Sequence, residues 1–170
     1  MPWRNGGGTT TELARHPSAG DDFDWRLSVA AVAADGPFSS FDGIDRILVL
    51  LAGAGMDLHF VDDHHVERLR PLRDVKAFAG EAAVHATLVD GPTVDLNLMW
   101  RRDGWDASVR ESVLPAAVDA EGAVTVLYVE DGAAVLPDGT VLEPGDAIDT
   151  TDKIVVDGTG VVLLFTLWPR

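Results

Sequence analysis

One order of strand-like runs and turn residues occurs twice along this chain. In the first passage Ile47-Leu48-Val49-Leu50-Leu51 runs into Gly53-Ala54-Gly55, then Phe78-Ala79-Gly80-Glu81, then the Asp90-Gly91 turn, and residues 96–100 close it. In the second, residues 124–129 run into Asp131-Gly132, then Glu143-Pro144-Gly145-Asp146, then Asp157-Gly158, and residues 163–168 close it. A repeated supersecondary unit constrains architecture more than any single strand, because each copy must bury its apolar face against another element. The runs themselves read as strands: 25–32, 46–51, 83–89, 94–100, 124–129 and 161–168 are short, apolar, and alternating or β-branched. Asp-Gly, Gly-Pro and Pro-Asp-Gly separate them. Helical alternatives are confined to 43–46, as a single turn, and 109–118, which Pro115 interrupts.

The second passage also carries a specific turn. In Pro144-Gly145-Asp146 the proline presets φ, the glycine supplies a positive φ, and the aspartate bonds back to the backbone. The hairpin Leu136-Pro137-Asp138-Gly139-Thr140 leads straight into it. A hairpin, this Gly-Asp turn and a further strand pair make up half of a cupin. The expected fold is therefore all-β, a bicupin-type double-stranded β-barrel in which two jelly-roll-like repeats pack as one domain. That domain takes in residues 1–170, the first repeat about 25–100 and the second about 124–168.

A chain of 170 residues with 46% hydrophobic content is long enough for one domain with a real core. The net charge of −15, from 28 acidic and 13 basic residues, repels phosphate backbones and anionic membrane surfaces. Nucleic acid and membrane are accordingly not expected partners, and the sequence leaves room for a homodimer. With no cysteine, disulfides, thiolate catalysis and thiolate metal sites are all excluded. Neither a signal-peptide pattern nor an apolar run near the ~20 residues of a membrane helix is present, so a cytoplasmic location is expected.

Candidate chemistry lies in four places. The opening Pro2-Trp3-Arg4-Asn5-Gly6-Gly7-Gly8 is too Gly-rich for regular structure; its amides and side-chain donors suit an anion, or else form a terminal turn. It lacks the spacing of a phosphate loop. In Trp25-Arg26-Leu27-Ser28-Val29 strand alternation puts Arg26 and Ser28 on one face, and in Asp95-Leu96-Asn97-Leu98-Met99 it does the same for Asp95, Asn97 and Met99. A barrel can turn both faces inward, where a guanidinium must be paired by Asp45, by Asp95 or by an anionic guest. The segment from Gly36 to Arg46, with Phe38 and Phe41, reads as an ordered loop across a barrel end. Histidine decides the metal question. A metal-binding cupin needs a His-x-His pair, a nearby Glu and a third His on a later strand. His59, His64 and His65 have the wrong spacing and the second repeat has no histidine, so no metal, no other cofactor and a polar exposed hairpin are expected there. No catalytic triad or nucleophile elbow is evident, and no catalytic residue is assigned.

Pro-Trp-Arg-Asn-Gly-Gly-Gly-Thr, Trp-Arg-Leu-Ser-Val-Ala, Asp-Gly-Pro-Phe-Ser-Ser-Phe-Asp-Gly-Ile-Asp-Arg and Asp-Leu-Asn-Leu-Met, in this order, resemble the HutD/Ves family across essentially the whole chain. The resemblance implies a bicupin without established enzymatic activity, associated with bacterial histidine utilisation. It points to Trp3, Asn5, Gly6, Gly7, Trp25, Arg26, Ser28, Phe41, Asp45, Arg46, Asp95 and Asn97 as ligand-binding residues. Arg4 stands where the family commonly has Lys, and members commonly carry further residues before the Pro-Trp. The expected function is binding of a small carboxylate metabolite, formylglutamate first and urocanate second, to modulate histidine utilisation. The alternative is a metal-independent isomerase or hydrolase acting on a small polar metabolite, with Asp45 or Asp95 as general base beside an arginine.

Overall fold

The computed structural model describes residues 1, 3, 6–17, 22–71, 73–119 and 124–170. Among these there is no helix, and strands account for most of the chain. None of the described segments forms a helix long and apolar enough to cross a membrane. The chain divides into two compact units, Met1–Asp103 and Gly104–Arg170.

The first unit contains β1 (Gly8–His16), β2 (Trp25–Val32), β3 (Gly36–Pro37), β4 (Ile44–Ala52), β5 (Met56–Phe60), β6 (His65–Leu69), β7 (Val75–Ala79), β8 (Val84–Leu88) and β9 (Thr93–Arg101). These form a five-stranded sheet in the order β1-β2-β9-β4-β7 and a four-stranded sheet in the order β3-β8-β5-β6. Val32, Leu48 and Leu50 of the larger sheet pack with Met56, Leu58, Leu69, Val84 and Ala86 of the smaller one. Their period of two along each strand puts them on one face, and in the larger sheet Leu27, Ile47, Val49, Leu96 and Leu98 on the opposite face are buried as well. Burying side chains of this size contributes about 1.5–3 kcal/mol each.

The second unit contains β10 (Trp105–Val113), β11 (Ala116–Val118), β12 (Val124–Val135), β13 (Val141–Leu142), β14 (Ala147–Thr150) and β15 (Ile154–Pro169). Its sheet runs β10-β15-β12-β13, with β11 on β15 and β14 on β12. Leu114, Val118, Leu127, Val129, Leu136, Val156, Val162 and Leu164 make its core.

The expected turns at 136–140 and 143–146 are present. Gly139 N–H donates to the Leu136 carbonyl at 2.9 Å, and the Asp146 carboxylate accepts from Glu143 N–H at 2.8 Å. Three expectations are corrected. Asp131-Gly132 and Asp157-Gly158 are not turns but lie inside β12 and β15, whose paired register continues through them past a bulge between Val129 and Asp131. Residues 109–118 are strand: β10 pairs along β15 from Trp105 to Val113, and β11 follows after Leu114-Pro115. The residues from Gly8 onward form β1, because the Thr9–Thr11 stretch finds a partner in β2.

Candidate functional site

Antiparallel pairing places Arg26 of β2 and Arg46 of β4 on either side of the same residue, Met99 of β9. Two residues further, Ser28 and Leu48 flank Asn97, and beyond them Ala30 and Leu50 flank Asp95. Val32 then stands opposite Thr93. Alternate residues share a face, so Arg26, Ser28, Arg46, Asp95, Asn97 and Thr93 stand on the same side of the sheet as Val32, Leu48 and Leu50. That side faces the core of the first unit. Among the described residues the buried polar side chains are Ser28, Arg46, Thr93, Asp95, Asn97 and Thr125. Five of the six therefore belong to this one surface, and Thr125 of the second unit has Thr166 as a hydroxyl partner at 3.3 Å.

Arg46 is 4% exposed, and its guanidinium carbon lies 4.7 Å from the Phe38 ring centroid and 5.2 Å from that of Phe78. Ring faces attract a desolvated cation but accept no ordinary hydrogen bond. Arg46 Nε has no hydrogen-bond partner among the described residues, and the same holds for Arg26 Nε, Asp95 Oδ2, Asn97 Oδ1 and Thr93 Oγ1. Arg26 lies over the Phe23 ring at 4.7 Å and places Nη2 3.4 Å from Met99 Sδ. Ser28 Oγ donates to the Asn97 carbonyl at 3.4 Å.

The electrostatics follow from burial. Desolvation, opposed by the attraction of Arg46, raises the Asp95 carboxyl to about 7. Desolvation also lowers Arg46 to about 10, against the pull of Asp95 and with the repulsion of Arg26. Arg26 is lowered by desolvation too. At neutral pH both arginines are charged and Asp95 is poised between its two states.

One row beyond Arg46 and Met99, Ile44 of β4 stands opposite Arg101 of β9. These two line a cleft of about 290 Å³ together with Asp22, Phe23, Phe41 and Asp42. Phe23 joins the cleft to the interior, since it is also the ring beneath Arg26. Arg101 is engaged there, its Nε donating to the Phe23 carbonyl at 3.1 Å and Nη2 lying 3.8 Å from Asp22.

The remaining sequence candidates fall elsewhere. Asp45 stands on the opposite face of β4 from Arg46 and pairs with Arg102 at 2.8 Å, so it does not join the interior group. Glu81 completes that pair with bonds of 2.7 and 2.8 Å to Arg102. Trp25 is on the opposite face of β2 from Arg26, buried and stacked near His16. Trp3 packs at the margin of the first unit's core and donates its indole N–H to Thr10 Oγ1 at 2.7 Å. Gly6 N–H is spent on the Trp3 carbonyl at 3.0 Å, and the Gly7 carbonyl accepts from Ala33 at 2.8 Å. These form a turn that anchors β1. Asn5 lies outside the described residues. The histidines of the β5–β6 hairpin are dispersed: His59 meets Thr87 Oγ1 at 2.9 Å, while His65 stacks on Phe60. Among the described residues no three His, Asp or Glu side chains gather as a metal site.

Thr93, Met99, Phe23 and Phe78 belong to the site without having been singled out as ligand residues. Alternation from Asp95 already marks Thr93 and Met99. Phe78 comes from a strand whose partner only the folded sheet defines, and Phe23 from the irregular segment before β2.

The family model for HutD matches residues 1–165. Protein Ves of Escherichia fergusonii is 34% identical over 154 residues, covering 89% of this chain and 74% of that protein. Protein Ves of Citrobacter koseri is 43% identical over 111 residues, covering 64% of this chain and 56% of that protein, so the match spans little more than half of that relative. HutD from Pseudomonas fluorescens, in a formate condition, superposes with a TM-score of 0.84 at 31% identity, over 100% of this chain and 93% of that one. A cupin 2 conserved barrel domain protein from Leptotrichia buccalis shares the fold at a TM-score of 0.60 and 9% identity, over 96% and 89% of the two chains.

Proposed function

This chain belongs to the HutD family, and we propose on that basis that the interior of its first unit binds a small carboxylate metabolite without transforming it, so modulating histidine utilisation from the cytoplasm. The observation that carries this reading is the set of unpartnered polar atoms on one buried face: Arg46 Nε, Arg26 Nε, Asp95 Oδ2, Asn97 Oδ1 and Thr93 Oγ1. A buried donor or acceptor left unpaired costs about 1–3 kcal/mol, and five on one surface are accounted for by a guest that completes them. The guest must offer acceptors to two guanidinium groups and a donor to the Asn97 amide oxygen. Formylglutamate, with carboxylates and an amide N–H, meets both demands, and urocanate meets them with a carboxylate and a ring N–H.

Thermal melts of the protein with N-formyl-L-glutamate and with urocanate test the reading, since a guest that binds only the native state raises the melting temperature. Arg46→Met and Arg26→Ala should each weaken the better guest about 10- to 100-fold, the equivalent of charge-assisted bonds of roughly 1.5–3 kcal/mol. Unchanged affinity in both variants would remove the interior as the site. A second reading, that of a metal-independent isomerase or hydrolase, is favoured by one feature: an aspartate raised to about 7 is matched to general-base work at neutral pH. Asp95 is the base in that case, Asp45 being held by Arg102. Chemical change of either guest by the wild-type protein, lost in Asp95→Asn, would establish the enzyme in place of the binder.

A further inference from the structure

Asp95 is the acid of a surface that otherwise presents two guanidinium groups. The charged neighbours on every packed element can be placed from the strand register. Arg26 comes from β2 and Arg46 from β4, on the two strands that flank β9. On β1, Glu12 stands opposite Ser28 and Arg15 opposite Arg26; they lie 3.9 Å apart and so offset each other's influence on Arg26. On β7, Lys76 stands opposite Leu48 and is paired at 2.7 Å with Glu67 of β6. The smaller sheet adds His65 at its edge, stacked on Phe60, and otherwise brings Met56, Leu58, Leu69, Val84 and Ala86 to this interior. Between β6 and β7, Arg73 donates its backbone N–H to the Leu50 carbonyl at 3.1 Å and its side chain is engaged, so the charges standing on this face of the sheet are Arg26, Arg46 and Asp95.

Charge balance in a desolvated interior then depends on the guest. A guest with one carboxylate neutralises the pair of arginines together with an ionised Asp95. A guest with two carboxylates does so only if Asp95 is neutral, because a third negative charge would be buried without a partner. We propose that Asp95 is a charge-matching residue: guests with two carboxylates bind with uptake of one proton at the Asp95 carboxyl, and guests with one carboxylate bind without it. The inference rests on the carboxylate-binding reading above. The proton goes to Oδ2, which lacks a partner and as a hydroxyl becomes a donor toward the guest. A carboxyl raised to about 7 is ionised in most molecules at pH 8, where the uptake is therefore largest.

The test is calorimetric titration of the full chain at pH 8, in two buffers of different ionisation enthalpy, with N-formyl-L-glutamate and with 4-formamidobutyrate, which lacks one carboxylate. The expected result is close to one proton taken up with the first probe and little with the second. Asp95→Asn should abolish the uptake and bind N-formyl-L-glutamate about tenfold more tightly than the wild type at pH 8 but only about twofold at pH 7. Equal uptake with both probes, no uptake with N-formyl-L-glutamate, or binding of 4-formamidobutyrate alone overturns the charge-matching role while leaving carboxylate binding intact. If neither probe binds, the binding reading itself falls, and this inference with it. Should Asp95→Asn fail to fold, the comparison of probes on the wild-type protein decides alone.

Discussion

Asp95 and Arg46 are both almost wholly buried, and the way their costs divide has a measurable consequence for stability. For Asp95 the desolvation cost exceeds the attraction of Arg46, because the net shift is upward from 3.8 to about 7. The folded state therefore holds this proton across a range, roughly pH 4 to 7, in which the unfolded chain has lost it. By linkage the Asp95 contribution is favourable at low pH and fades as pH rises through that range. Replacing the carboxyl by its neutral isostere removes the dependence. Urea denaturation should accordingly find that the stability of Asp95→Asn relative to wild type improves by about 2–3 kcal/mol between pH 5 and pH 8. A constant difference across that interval would mean that Asp95 ionises as an ordinary surface carboxylate does.

The long β12–β15 ladder shows how an element departs from its local reading. Gly132, Gly158 and Gly160 have φ of +80°, +122° and +107°, and a Cβ at Gly160 would run into the Asp131 carbonyl oxygen across the ladder. Asp-Gly pairs that punctuate the sequence like turns are in fact places where two strands bend together at close backbone approach. Gly139 is a control, since it also has positive φ, +87°, but a Cβ there meets open space. Gly160→Ala should thus destabilise the protein by about 3 kcal/mol or more, and Gly139→Ala by only about 1 kcal/mol. Equal losses in chemical denaturation would show that φ alone, and not the backbone contact, fixes glycine in the ladder. The strand at 109–113 has a related origin. Val109-Arg110-Glu111-Ser112-Val113 has no period that decides between helix and strand, and it is pairing along the edge of β15 that decides for strand.

At the scale of the molecule the two units differ in what they enclose. The first sets two arginines against phenylalanine rings and buries an aspartate and an asparagine on the same sheet face, whereas the second packs Leu127, Val129, Val162 and Leu164 into an apolar core. This division separates stability from binding. Leu164→Ala, which leaves a cavity in the second core, should cost about 2–5 kcal/mol in unfolding free energy yet leave the affinity of the folded protein for N-formyl-L-glutamate within about twofold. Arg46→Met should instead lose the guest, with a stability cost that is smallest at acid pH, because removing the cation leaves the buried Asp95 without an opposite charge unless its carboxyl is protonated. Denaturation midpoints alongside titration of the folded variants would expose any sharing of the two roles.

Alternation along 25–30 and 95–99, the turn residues around 136–146 and the absence of a His-x-His pair are local properties, and each is readable from the chain because a strand fixes its side-chain faces at every second residue. These determined the all-β class, the cupin-type fold and the coincidence of Arg26 with Ser28 and of Asp95 with Asn97 on common faces. Which strands stand side by side is a nonlocal property. Only pairing across the sheet set Arg26 and Arg46 about the same methionine, gave Arg46 its two phenylalanine rings, and brought Arg102 to Asp45. The depth of burial that lifts Asp95 to about 7 was decided there too, because desolvation depends on the atoms that exclude water, and those arrive from strands far away in the sequence.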